Sequence, residues 1–121
     1  MNKDKCLIQK ELLDNLSEND SLREVQKYIK SVIDIRGFGN QPIQEAMLLL
    51  LEEVGELAKA VRKTKTNMSV DVNKLKNYDT VESEVADVFI VLSSICNLLN
   101  IDMFQVLKDK ETENINRTWK N

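Results

Sequence analysis

The chain has 121 residues, 42% of them apolar and 31% charged, with three Gly, one Pro and a formal net charge of −3. That length suits one domain over residues 1–121, and so few turn formers exclude a loop-rich sandwich or barrel. The acidic balance leaves no electrostatic footprint for a nucleic-acid polymer or a membrane surface, although a single nucleotide can still reach acidic protein through a bridging cation. There is no His, which excludes Ser-His-Asp and Cys-His nucleophiles, His-Glu-x-x-His zinc sites and the Glu-x-x-His ligands of di-iron bundles. Cys6 and Cys96 match no zinc spacing and read as reduced thiols. The longest unbroken apolar run, Ala46 to Leu51, is too short to span a bilayer, and Met1 to Lys5 leads into no signal-peptide core, so a cytoplasmic location is expected.

Taken in chain order, Asp4 to Leu16 reads as a weak first helix. A second runs from about Leu22 to Ile35, with Ser21 and Glu24 at capping-box spacing. Arg36 to Gln41 holds two Gly and breaks the chain. Pro42 suits the first turn of a third helix, which runs to about Lys63 and ends on Arg62 and Lys63, as the helix dipole favours. Thr64 to Tyr78 is polar, with an isolated Val70 and Val72, and reads as a loop. Asp79 and Glu82 resemble another capping box, opening a fourth helix to about Leu99, with Asn100 suited to a left-handed end. Asp102 with Gln105 opens the last helix, to about Arg117. Four to five helices and no strand predict an all-α antiparallel helical bundle.

Two acidic motifs interrupt this apolar pattern. Glu52-Glu53-Val54-Gly55-Glu56 lies in the third helix and Glu84-Val85-Ala86-Asp87 in the fourth. At about 100° per residue, Val88, Val91, Ile95 and Leu98 share a stripe widened by Leu92 and Leu99. Glu84 falls in that stripe and Asp87 on its edge, so both point inward. On the third helix Leu50, Val54, Leu57 and Val61 form the predicted core face, with Glu52, Glu53 and Glu56 on an adjoining arc. Those three glutamates read either as a solvated face with Lys59 and Lys63 as partners, or as half of a site. Glu82 and Glu84 read either as complements to a helix dipole or, for Glu84, as the other half; Asp87, further into the helix, fits the dipole reading less well. The intervening residues 57–83 are enough for a helix end, a loop and a return. Four converging carboxylates suit Mg2+ or Mn2+, hard cations that prefer oxygen ligands.

With its two motifs in order, the sequence resembles the MazG-like nucleoside triphosphate pyrophosphohydrolases. The resemblance extends to Leu51 through Ala60, Glu84 through Val88, Asn100-Ile101-Asp102, and Lys110, Asn114 and Arg117, covering roughly residues 22–119. It implies Mg2+-dependent cleavage of a nucleoside triphosphate between the α and β phosphates, giving a monophosphate and pyrophosphate. It implies Glu53, Glu56, Glu84 and Asp87 as metal ligands, and Glu52 as a residue that assists a further metal or orients the attacking water. Lys110, Asn114 and Arg117 match the family's substrate-contacting tail; on pattern alone they also read as a solvated helix. Trp119 reads first as a packing or interface residue and second as a surface on which a base can stack. A homodimer, or a tetramer of two dimers, is implied as well, and the third and fourth helices agree, being apolar over more than one stripe: Leu48, Leu49 and Leu51 flank one core face, while Phe89 and Ile90 lie away from the other. House-cleaning of the nucleotide pool is the leading role. The alternatives are a narrow-specificity dUTPase or dCTPase, a silent bundle that binds nucleotide or protein, and a purely structural helical protein.

Overall fold

A computed structural model describes residues 3–73 and 80–120. Among the described residues there are five α-helices and no strand: α1 Lys3–Asn15, α2 Leu22–Ile35, α3 Ile43–Lys65, α4 Val81–Leu98 and α5 Met103–Ile115. The predicted helix boundaries therefore stand to within two residues. The helices group into two compact units, residues 1–40 with 96–121, and residues 41–95. No single described helix is long and apolar enough to cross a membrane.

In the first unit, helix ends follow local chemistry. Ser21 caps α2, its hydroxyl accepting the Glu24 N–H at 3.2 Å, while the Glu24 carboxylate accepts from that hydroxyl rather than from the Ser21 amide. Helix α2 closes at Gly37, whose φ of 92° is left-handed and whose N–H reaches the Asp34 carbonyl as Phe38 N–H reaches Ile33. These two hydrogen bonds satisfy two terminal carbonyls. The same device recurs after α4. Asn100 adopts φ 55°, with its own N–H on the Asn97 carbonyl and Ile101 N–H on the Cys96 carbonyl. Asp102 then caps α5 by accepting the Gln105 N–H at 3.1 Å.

Helix α2 packs on both α1 and α5. Ile29 and Val32 are buried along it, and so is Gln26. A buried amide is costly unless it is hydrogen-bonded. Gln26 Nε2 donates to Asn97 Oδ1 and to the Ile101 carbonyl, Gln26 Oε1 accepts the Met103 N–H, and Asn97 Nδ2 donates to the Gln26 carbonyl. This network ties the middle of α2 to the turn around Asn100. Arg23, one turn earlier, pairs with Asp102. The Arg23 hydrogen bond first, and the Gln105 N–H second, hold the Asp102 carboxyl below the usual aspartate range.

The second unit contains α3 and most of α4. Pro42 sits at the cap of α3 rather than inside its first turn, its carbonyl accepting the N–H groups of Glu45 and Ala46. The predicted core face of α3 needs correction. Ala46 and Ala60 are buried, and Leu50, Glu53 and Leu57 are half-buried on the same side. Val54 and Val61 are exposed, on a second apolar seam formed by Met47, Leu51, Val54, Ala58 and Val61. Both seams run with spacings of four and three, so each repeats faithfully along one side of a helix. The inward seam passes through Glu53.

Helix α4 repeats the arrangement. Glu84 and Ile95 are buried, with Val88 and Val91 half-buried between them, while Val85, Phe89 and Leu92 make a second, exposed seam. Leu92 and Leu99, predicted to widen the inward stripe, are exposed instead. Ser93 is fully buried; its hydroxyl donates back to the Phe89 carbonyl at 2.7 Å, which removes the cost of its burial. At the start of α4, Thr80 Oγ1 accepts the Ser83 N–H, so Thr80 serves as the side-chain cap. Asp79, the predicted cap, lies outside the described residues. The predicted loop begins two residues late, because Thr64 and Lys65 are still helical. Beyond the helix, Arg62 Nη1 donates to the Ser69 carbonyl at 2.9 Å.

Candidate metal centre

The inward seams of α3 and α4 carry acids where apolar side chains would otherwise pack. Glu53 occupies the middle of the α3 seam, and Glu84 opens the α4 seam with Asp87 one turn later. Residues three apart on a helix are neighbours, so Glu84 and Asp87 present to one place. One carboxylate oxygen from each of Glu53, Glu84 and Asp87 lies within 4.8 Å of the other two. Glu84 is 6% exposed, and its Oε2 is wholly shielded from solvent.

This is an electrostatic conflict by construction. Partial burial, and then the charge of Asp87, push the Glu53 carboxyl above the usual glutamate range; Glu52 and Glu56 add to the effect. Burial and like charge both favour the protonated acid. A cation placed among the three reverses both.

The donor set fits a hard divalent cation. All three groups are carboxylates, and no Cys lies in the cluster. An octahedral Mg2+ with bonds of about 2.1 Å sets its ligand oxygens about 3 Å apart when adjacent and about 4.2 Å apart when opposite. Three protein ligands also leave positions for water and for substrate oxygens, the usual pattern for this ion. Zinc is disfavoured by a site with neither thiolate nor imidazole.

The other predicted residues lie elsewhere. Glu56 is half-buried and Glu52 exposed; both stand outside the converging trio, though near enough for their charges to act on Glu53. Lys110, Asn114 and Arg117 belong to the first unit and are exposed or half-buried there. Lys110 Nζ pairs with Glu113 at 3.2 Å, Asn114 Nδ2 donates to Glu111 at 3.0 Å, and Arg117 Nη1 donates to Asn114 Oδ1 at 3.4 Å. Helix α5 ends at Ile115, so Arg117 lies past the helix rather than in its last turn. There its guanidinium stands 4.5 Å from the centre of the Trp119 ring. The only sequence signal for that stack is the Arg-Thr-Trp spacing.

Residues 41–118 match the model of the MazG nucleotide pyrophosphohydrolase domain. The match takes in both acidic motifs and more than half of the chain, and the chain belongs to that family. The family implies a nucleotide substrate and pyrophosphohydrolase activity. No curated protein and no solved structure matches the chain.

Proposed function

We propose that this protein is a Mg2+-dependent nucleoside triphosphate pyrophosphohydrolase, cleaving between the α and β phosphates to give a nucleoside monophosphate and pyrophosphate. The observation that carries the reading is the convergence of Glu53, Glu84 and Asp87, on the inward seams of two helices, within 4.8 Å. In this reading those three residues hold the cation, and Glu56 joins them from the next turn of α3. When bound, the ion supplies positive charge to phosphate oxygens and lowers the pKa of a water molecule. Glu52, exposed at the rim, accepts a proton from the attacking water or orients it. Lys110, Asn114 and Arg117 offer two cations and an amide to phosphate and sugar. Their present partners are exposed ion pairs and hydrogen bonds, which are worth about 0–1 kcal/mol and yield readily to a phosphate.

A homo-oligomer belongs to the same proposal. The exposed seams Met47–Leu51–Val54–Val61 on α3 and Val85–Phe89–Leu92 on α4 have the periodicity that packs helix on helix. Leu51 is 64% exposed in the isolated chain, and a contiguous apolar surface of that kind calls for a partner. A cytoplasmic house-cleaning role, removing surplus or damaged nucleotides, completes the reading.

The test is product identification by ion-exchange chromatography after incubation with Mg2+ and a panel of NTPs and dNTPs. Monophosphate with pyrophosphate is expected. Diphosphate with orthophosphate refutes cleavage at the α–β bond, and absence of turnover with every nucleotide refutes the enzymatic reading.

A further inference from the structure

Resting on the homo-oligomer in that reading, we infer that a second copy of the chain lays its α3 antiparallel across this one, and that the two helices cross at Gly55.

Gly55 stands near the middle of the 23-residue α3. A glycine inside a helix costs about 1 kcal/mol relative to alanine. Its backbone is not left-handed, so no turn requires it. Beyond its own turn of helix, no atom of the described residues lies within 4 Å of where a Cβ would stand. A missing Cβ is useful where another backbone comes close. The described residues supply no such neighbour, and the surface around Gly55 shows what kind fits.

That surface is apolar and exposed. Leu48, Leu51, Gly55 and Ala58 recur at spacings of three and four along one side of α3, sharing Leu51 and Ala58 with the outer seam. Leu48 is 65% exposed and Leu51 is 64% exposed. At about 100° per residue, Gly55 and Glu53 point to nearly opposite sides of the helix. A substrate held by the metal trio therefore lies on the far side of α3 and does not cover Gly55.

The order of side chains fits a copy of the same helix. Leu51, four residues before Gly55, is large, and Ala58, three residues after it, is small. An antiparallel crossing at Gly55 sets each Leu51 against the partner's Ala58, with glycine against glycine between them. A parallel pair sets leucine on leucine instead. Packed helices lie about 8–10 Å apart, and glycine at the crossing admits the short end of that range. Charge follows the same rule. Glu52 and Lys59 are both exposed on one flank of this face. The antiparallel crossing brings each Glu52 to the partner's Lys59, twice over, because contacts about a two-fold axis are reciprocal.

The test is sedimentation equilibrium of the full chain over a range of concentrations, with circular dichroism as the check on folding. Wild type is expected to self-associate. Gly55→Leu raises the Kd for self-association roughly 5- to 150-fold, the range that overpacking of a close contact produces. Glu52→Lys and Lys59→Glu each weaken association, and the double variant, which restores opposite charges across the crossing, recovers it. Should Gly55→Leu lose its helical signal, the charge exchange decides. An unchanged Kd in a folded Gly55→Leu overturns the inference, and so does a double variant that associates no more tightly than either single one. A wild type that stays monomeric at every concentration defeats the homo-oligomer itself. A wild type that associates but is indifferent to these changes defeats only the crossing at Gly55.

Discussion

The Gln26 cluster and the Glu53 cluster both put polar side chains where apolar ones would pack, yet they are resolved in opposite ways. Around Gln26, amide donors meet carbonyl acceptors and the Met103 N–H meets an amide oxygen, so the group is neutral and internally satisfied. Around Glu53, three carboxylates share one small space, and partial burial first, then the charge of Asp87, raise the proton affinity of Glu53. A cluster of the first kind specifies a turn and needs nothing from solution. A cluster of the second kind is relieved by a proton or a cation, which makes it a candidate place for chemistry.

The largest expected difference lies in activity. Asp87→Asn and Glu53→Gln should each lower pyrophosphate release by a hundred-fold or more, on the order of what loss of a key electrostatic contact does in enzymes. The same variants should lose the Mg2+-induced rise in melting temperature. In EDTA they should melt at the wild-type temperature or above it, because one of the repelling charges is gone. Full activity in both variants would remove the metal assignment.

Gln26→Leu should do the reverse. It leaves the Met103 N–H and the Ile101 carbonyl without their partner, and an unsatisfied buried group costs about 1–3 kcal/mol. Urea unfolding followed by circular dichroism should show a loss of about 2–4 kcal/mol, with the Mg2+-induced shift retained. A loss of Mg2+ response without loss of stability would contradict the division of roles.

The two regions should also part company in pH. Glu53 has a folded pKa above its unfolded value, so its contribution is fully present below the unfolded pKa near 4.5 and is lost as pH rises through the raised folded value. Asp102 has a folded pKa below its unfolded value near 3.8, so its contribution is present above that value and is lost as pH falls through the depressed one. In EDTA, Glu53→Gln should therefore flatten the upper flank of the stability profile and Asp102→Asn the lower flank. Added Mg2+ competes with the Glu53 proton, so its binding should strengthen as pH rises across the same upper window. The smallest effect belongs to the exposed cap: Ser21→Ala should cost about 1 kcal/mol in the urea midpoint and leave turnover untouched.

Much of this was legible because it is local. Ser21 with Glu24, Asp102 with Gln105 and the left-handed Asn100 are decided within a few residues, and the helix boundaries followed from them. The acidic trio was legible for a related reason, since Glu84 falls at an apolar position of the helix, where a carboxylate breaks the pattern. The α3 core face was not. Ala46–Leu50–Glu53–Leu57–Ala60 and Met47–Leu51–Val54–Ala58–Val61 are comparable apolar seams, and which one turns inward is settled by tertiary packing, not by period. From period alone Glu53 therefore falls beside the core rather than in it. Gln26 was invisible because its value lies in partners more than seventy positions away. Ser93 was missed because a hydroxyl that bonds to its own helix reads as an exposed residue.

The outer seam of α3 has a consequence for how the molecule behaves on dilution. If that surface is covered by a second copy, the folded state is not a property of one chain, and its free energy contains the logarithm of concentration. Melting temperature should then climb with protein concentration, and the acids at the α3–α4 junction would be held in place only as firmly as two chains hold each other. A cell making little of this protein would possess less than a proportionate share of its activity.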